Sequence, residues 1–298
     1  MADDSERPRF GRGYDKTLPI GAEGNHAYFG LDVLRGLVDG IDDFVRHRQS
    51  RWDQFRGDGT TMLACAMYMD DPVLIEKIAQ MESACIVISK QPRKRSDLKP
   101  PPEPRKLRAL AELNERTCGL PVEFFPQLEG LTSLVDGKPP VIGPGWSSPD
   151  EDASISTIRT LGFRKDRGNH GPMPPILHAK LALLGRLWTH DEDDYGFADV
   201  TQFTAKRLWV SSANFTASSR RSLEFGYWTE EPELLSGAED FLLNLIANSE
   251  GLDPEEDSFI PDRTLPDYDE DAMWEWERER RLDWEAEQAD PESEGQVG

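Results

Sequence analysis

The segment Ile176–Leu184, ILHAKLALL, constrains the fold more than any other part of the 298-residue chain. It is rich in apolar residues and sits between Pro175 and Gly185, which is the length and punctuation of a largely buried strand. Strand side chains alternate between faces, so His178 and Lys180 share a side with Ile176 and Ala182. An imidazole and an ammonium are costly to bury unpaired, so that side is expected to open onto a cleft. Arg207–Ser211 reads as the next strand and empties into the small polar turn Ser211-Ser212-Ala213-Asn214. Leu223–Trp228 reads as a third strand, with Glu224 facing away from Leu223, Phe225 and Tyr227.

Cleaving a phosphodiester requires a nucleophile, an acid for the leaving oxygen and donors around the phosphoryl oxygens. Histidine suits the first two roles near neutral pH, because its ordinary pKa of about 6.5 allows either protonation state. Lys180 and the Asn214 carboxamide, with Ser212 helping, supply donors, and Glu224 is placed to accept the second N–H of His178. The order HAKL, LWVSSANFT, SLEFGYW resembles the phospholipase D superfamily, in particular its nuclease-like and helicase-associated members. The likeness covers roughly residues 60 to 248 and is most specific between 176 and 228. It implies an α/β/α sandwich with a mixed, mostly parallel sheet. It also implies a covalent phosphohistidine at His178, hydrolysis in a second step, and neither metal nor other cofactor.

Three positions depart from the family pattern. Gly185 stands where an Asp is usual five residues after the Lys, Ser211 where Gly is frequent, and Leu223 where Asn often precedes the Glu. The family mechanism uses two histidines across a pseudo-twofold axis, whereas this sequence holds one His-x-Lys. Either two copies pair about a twofold, as isologous contact permits, or the site is degenerate. A homodimer is the expectation.

The formal charge of −22 argues against general affinity for nucleic acid, but it is unevenly spread. Residues 251–298 hold 18 Asp and Glu against 4 Arg, which leaves −8 for residues 1–250. Between Lys90 and Arg108 there are eight basic residues against Asp97 and Glu103. Screening confines a field to about 8–10 Å, so a local basic patch can bind phosphates on an acidic protein. Arg93, Lys94 and Arg95, with Arg164 and Lys165, are therefore candidate substrate-binding residues. No apolar run is long enough to span a bilayer and the N-terminus lacks a signal-peptide core. Cys65, Cys85 and Cys118 have no metal-like spacing, so reduced thiols in a cytoplasmic protein are expected.

Along the chain, residues 1–58 read as a polar arm followed by an amphipathic helix over 29–47. Residues 59–250 read as the phospholipase D-like domain, and 251–298 as an acidic, disordered tail able to contact partner proteins. Strands near Met62–Met69 and Cys85–Ser89 flank a helix that Asp71 caps and Pro72 opens, a unit that suggests a parallel pair. A helix near Leu107–Glu115, a strand near Val122–Phe125 and a closing helix over Ala238–Asn248 complete the pattern. His190 and the acids after it are read as a hairpin tip rather than a metal site. The favoured function is a metal-independent nuclease, with DNA preferred over RNA and no membrane involved. The alternatives are a phospholipase or phosphatidyl transferase, and a catalytically inactive nucleic-acid-binding subunit of a defence or repair system.

Overall fold

The computed structural model describes residues 14–20, 25–46, 59–90, 104–144, 154–162, 177–191, 199–253 and 261–289. These fall into two compact units, one of 1–129 with 152–262 and one of 130–151 with 263–298. The basic residues Arg93, Lys94, Arg95, Arg164 and Lys165 lie outside the described residues.

The first unit is built on a nine-stranded sheet. Its strands in chain order are β1 (Lys16–Pro19), β2 (His26–Gly30), β3 (Gly59–Ala66), β4 (Ser83–Ser89), β5 (Ile158–Leu161), β6 (Leu181–Asp191), β7 (Asp199–Ser211), β8 (Glu224–Thr229) and β9 (Glu250–Gly251). Their spatial order is β1-β2-β8-β7-β6-β3-β4-β5-β9. The mixed α/β class is as the sequence predicts, but the expected preponderance of parallel pairing is not found. Only β3 with β4 and β4 with β5 run parallel, and the six other pairings are antiparallel. The difference follows from connectivity. Helical crossovers join β3 to β4 and β4 to β5, whereas short links fold β1–β2 and β6–β7 back as hairpins, which forces antiparallel ladders.

Helices lie on both faces of this sheet. α1 (Leu34–Arg46), α2 (Pro72–Ile78) and α3 (Pro104–Arg116) place Leu34, Leu37, Ile41, Leu74, Ile78, Leu110 and Leu113 in one core. That core also takes Met62, Ala64, Ile86, Ala182, Leu184, Trp209 and Trp228 from the strands. These positions are two apart along each strand, so they stand on one face. α4 (Pro232–Ala247) packs over β7, β6, β3 and β4 through Leu242, Leu243 and Ile246, which belong to none of that cluster. Asp71 caps α2 as predicted, its carboxylate accepting the Leu74 N–H at 2.8 Å, with Pro72 opening the first turn.

Two segments differ from their predicted form. The helix expected from residue 29 begins only at Leu34, and 26–30 form a strand of the central sheet instead. Gly30 and Asp32, at φ +112° and +52°, turn the chain between strand and helix. Residues 122–124 form one turn of 3₁₀ helix rather than a strand.

The second unit pairs Thr132–Ser133 with Arg263–Thr264 and Val141–Ile142 with Asp267–Tyr268. It ends in α5 (Glu270–Ala289), so the part of the acidic tail expected to be disordered is helical here. Opposite charges such as Glu277 and Arg281 stand four residues apart, and the Arg280 guanidinium lies 4.7 Å from the Trp276 ring centre. The charge spacing and the cation–π contact both favour helix in a sequence whose net charge alone points to an unfolded chain.

Candidate active site

The His-x-Lys segment, the Ser-Ser-Ala-Asn turn and Glu224 lie at the same end of neighbouring strands in the middle of the sheet. β6 runs antiparallel to β3 and β7 with Leu181 opposite Cys65 and Val210, so β6 begins where β3 and β7 end. β8 begins there too, with Gly226 opposite Ser211. The His-x-Lys segment lies just ahead of β6 rather than inside a strand starting at Ile176. Its departure from the ladder is visible in its hydrogen bonds. The Ser211 N–H still donates to the Lys180 carbonyl at 3.1 Å, but the Leu177 carbonyl takes the hydroxyl of Ser89, at 3.4 Å.

His178 and Lys180 do point the same way. Lys180 Nζ lies 3.1 Å from His178 Nδ1 and donates to the His178 carbonyl at 2.6 Å. The imidazole is exposed and the lysine is buried. Burial pulls the Lys180 pKa down, and the negative charge of Glu224 opposes that shift. The thiol of Cys65 is itself pushed up to about 12 by burial, so it stays protonated beneath the lysine.

The Ser-Ser-Ala-Asn turn joins β7 to the residues before β8. The Ser212 amide donates to the Phe225 carbonyl and the Phe225 amide donates back to Ser212 Oγ, both at 3.0 Å. The Ser212 hydroxyl donates a hydrogen bond to the Glu224 carboxylate. Ser212 is thus occupied in fixing turn to strand, and Glu224 grips Ser212, whereas the contact found at His178 Nδ1 is Lys180. Asn214 Oδ1 is buried with no hydrogen-bond partner among the described residues. Such an atom costs free energy unless a ligand or water satisfies it.

One departure from the family pattern has a steric cause. Gly185 sits at an irregularity in the β6–β7 register. A Cβ there would stand 2.3 Å from the Phe203 ring and 2.6 Å from the Thr204 carbonyl oxygen. The space an Asp would need is filled by an aromatic ring from the next strand.

Phe215 was not singled out by sequence reasoning. Fully buried, it donates its amide to the Tyr68 carbonyl at 3.1 Å, and its carbonyl accepts the amides of Asp70 and Asp71. The Asp70 carboxylate in turn takes the Ala217 N–H at 2.9 Å. The only local signal was a lone aromatic inside a polar turn. Among the described residues, no group of three or more His, Cys, Asp and Glu is arranged to hold a metal ion, and no helix is long and apolar enough to cross a membrane.

No protein-family model matches the chain, and no curated protein matches it significantly. Several solved structures are similar to it, among them the following three. NucT from Helicobacter pylori is 12% identical with a TM-score of 0.38, covering 76% of this chain and 98% of that one. The phospholipase D family member Nuc from Salmonella typhimurium is 12% identical with a TM-score of 0.37, covering 76% and 97%. Polyphosphate kinase from Porphyromonas gingivalis is 11% identical with a TM-score of 0.38, covering 85% of this chain and 29% of that one. Likeness at these levels assigns no activity. The chain has a mixed α/β fold, and one of these similar structures, Nuc, is described as a member of the phospholipase D family, which the His-x-Lys, Ser-x-Asn and Glu residues of this chain resemble.

Proposed function

We propose that the chain is a metal-independent phosphodiesterase, a nuclease that works through a phosphohistidine at His178 in a site completed by a second copy. The observation that carries this reading is the buried Lys180 ammonium 3.1 Å from the exposed His178 ring, beside the Ser-Ser-Ala-Asn turn. A free ring nitrogen of one His178 attacks phosphorus, forming a P–N bond as the P–O bond to the leaving group breaks. His178 of the second copy gives the leaving oxygen its proton. Water then attacks the phosphorus, passes a proton back to that second imidazole, and the P–N bond breaks to regenerate the nucleophile. Lys180 and the Asn214 carboxamide N–H groups stabilise the phosphoryl oxygens. Glu224 holds Ser212, and with it the turn that carries Asn214, and its charge favours the Lys180 ammonium.

The test is incubation of the wild type and His178→Ala with labelled single- and double-stranded DNA in EDTA. Cleavage by the first, reduced about 10²-fold or more in the second, supports the reading. Equal cleavage by both overturns it. Cleavage of phosphatidylcholine vesicles with no action on nucleic acid selects a phospholipase instead. Nucleic-acid binding unchanged by the substitution, with no cleavage, selects a binding subunit. A fully active monomer in sedimentation velocity removes the second copy from the mechanism.

A further inference from the structure

We propose that Arg220 is a positioning residue that sets where Ser212 and Asn214 stand, by locking the segment after the Ser-Ser-Ala-Asn turn onto the turns that open α1 and α2. Arg220 lies in a short 3₁₀ turn, Ser219–Arg221, on the link between that turn and β8. Its guanidinium holds Asp71 with both prongs, Nε to Oδ2 at 2.6 Å and an Nη to Oδ1 at 2.9 Å. Its other Nη donates to Asp32 Oδ1 at 2.6 Å, and its carbonyl accepts the Asp32 N–H at 3.1 Å. Asp32 adopts a φ of +52°, a conformation that a non-glycine residue keeps only when its surroundings enforce it.

Three stretches that are remote in sequence are thereby tied at one point. Asp71 is 1% exposed and also caps α2, so this is not a surface pair of negligible worth. Burial alone would raise the Asp71 pKa, but the hydrogen bonds from Arg220 and the amides of the first turn of α2 lower it. A bidentate, charge-assisted pair fixes orientation as well as distance, which a lysine cannot reproduce. The Phe215 carbonyl and the Asp70 carboxylate hold the same segment at residues 215 and 217, so with Arg220 it is anchored at three positions after the turn.

The catalytic consequence rests on the phosphodiesterase reading, but the mechanical one does not. The experiment is peptide-resolved hydrogen exchange with parallel cleavage kinetics on the full chain carrying Arg220→Ala, Arg220→Lys or Asp32→Asn. Arg220→Ala is expected to speed exchange in peptides covering 212–222 by about tenfold or more, the fold-change of a lost charge-assisted hydrogen bond. Strands β3, β4 and β7 should keep wild-type protection, and kcat should fall with little change in KM. Arg220→Lys should recover only part of both. Asp32→Asn, which weakens one arm and leaves the buried pair intact, gives the same local signature more weakly, and serves if Arg220→Ala does not fold. Unchanged exchange over 212–222 in a folded variant, or acceleration spread evenly through the chain, overturns the proposal. His178→Ala cleaving as well as the wild type would sink the phosphodiesterase reading and leave the exchange result standing.

Discussion

Gly40→Ala tests how α1 holds β8, the strand that begins with Glu224. α1 presents Gly36 and Gly40, one turn apart, to two aromatic rings of the sheet. A Cβ on Gly40 would lie 2.4 Å from Cε2 and Cζ2 of Trp228, and one on Gly36 2.7 Å from the Tyr28 ring. Trp228 cannot move aside cheaply. It is 1% exposed, it donates Nε1–H to the Gly36 carbonyl at 2.9 Å, and its ring packs 5.3 Å from that of Trp209. Ring or helix must therefore yield about 1 Å, and overpacking of this kind costs about 1–3 kcal/mol. An alanine in a helix interior would otherwise gain about 1 kcal/mol over glycine. The net effect is a loss of up to about 2 kcal/mol. Gly237 in α4 supplies the control, since nothing lies within 4 Å of its added Cβ, and Gly237→Ala should gain about 0.5–1 kcal/mol. Urea unfolding followed by tryptophan fluorescence reads both, as midpoints moving in opposite directions at constant m-value. A Gly40→Ala protein that gains as much stability as Gly237→Ala would refute the packing of α1 on Trp228.

Restoring the family residue with Gly185→Asp should lower the unfolding midpoint and leave cleavage no faster, because Phe203 and the Thr204 carbonyl occupy the space; gain of activity in a stable protein would contradict this. Burial, with the adjacent Asp240, pushes the Glu239 carboxyl up to about 7 from 4.5. Its unfolded form ionises first, so stability drains away as pH rises from about 4.5 to 7. Glu239→Gln should therefore stabilise the protein at pH 8 and change little at pH 4, and equal effects at both pH values in thermal unfolding would refute the assignment.

Much of the site's scaffold could be read locally. Asp71-Pro72 announces α2 because an N-cap and a first-turn proline act within four residues. The apolar run through Cys85–Ser89 could only be a buried strand, and alternation alone puts His178 beside Lys180 and Glu224 opposite Phe225. What escaped was tertiary. The pairing of Ser212 with Glu224, and of Arg220 with Asp71, joins residues 12 and 149 positions apart, and no pattern in the chain records either. Pairing direction escaped for a related reason: the strand–helix–strand pattern at β3–β4 predicts its own parallel pair but says nothing of how the remaining strands, some of them joined as hairpins, line up beside it. Residues 1–25 read as an arm, and β1 within them went unseen because it is a four-residue edge strand, exposed throughout, with no apolar alternation to reveal it. The boundary of α1 was blurred because Phe29 and Leu31 continue its apolar content beyond the break at Gly30 and Asp32.

The role of His178 is tested most directly by trapping the intermediate. Wild-type protein mixed with excess oligonucleotide in EDTA, quenched in alkali during turnover and digested, should yield a His178 peptide carrying a phospho-linked nucleotide. The adduct should be acid-labile and absent from His178→Ala. Sustained cleavage with that peptide unmodified, or with the adduct on another residue, would contradict the account.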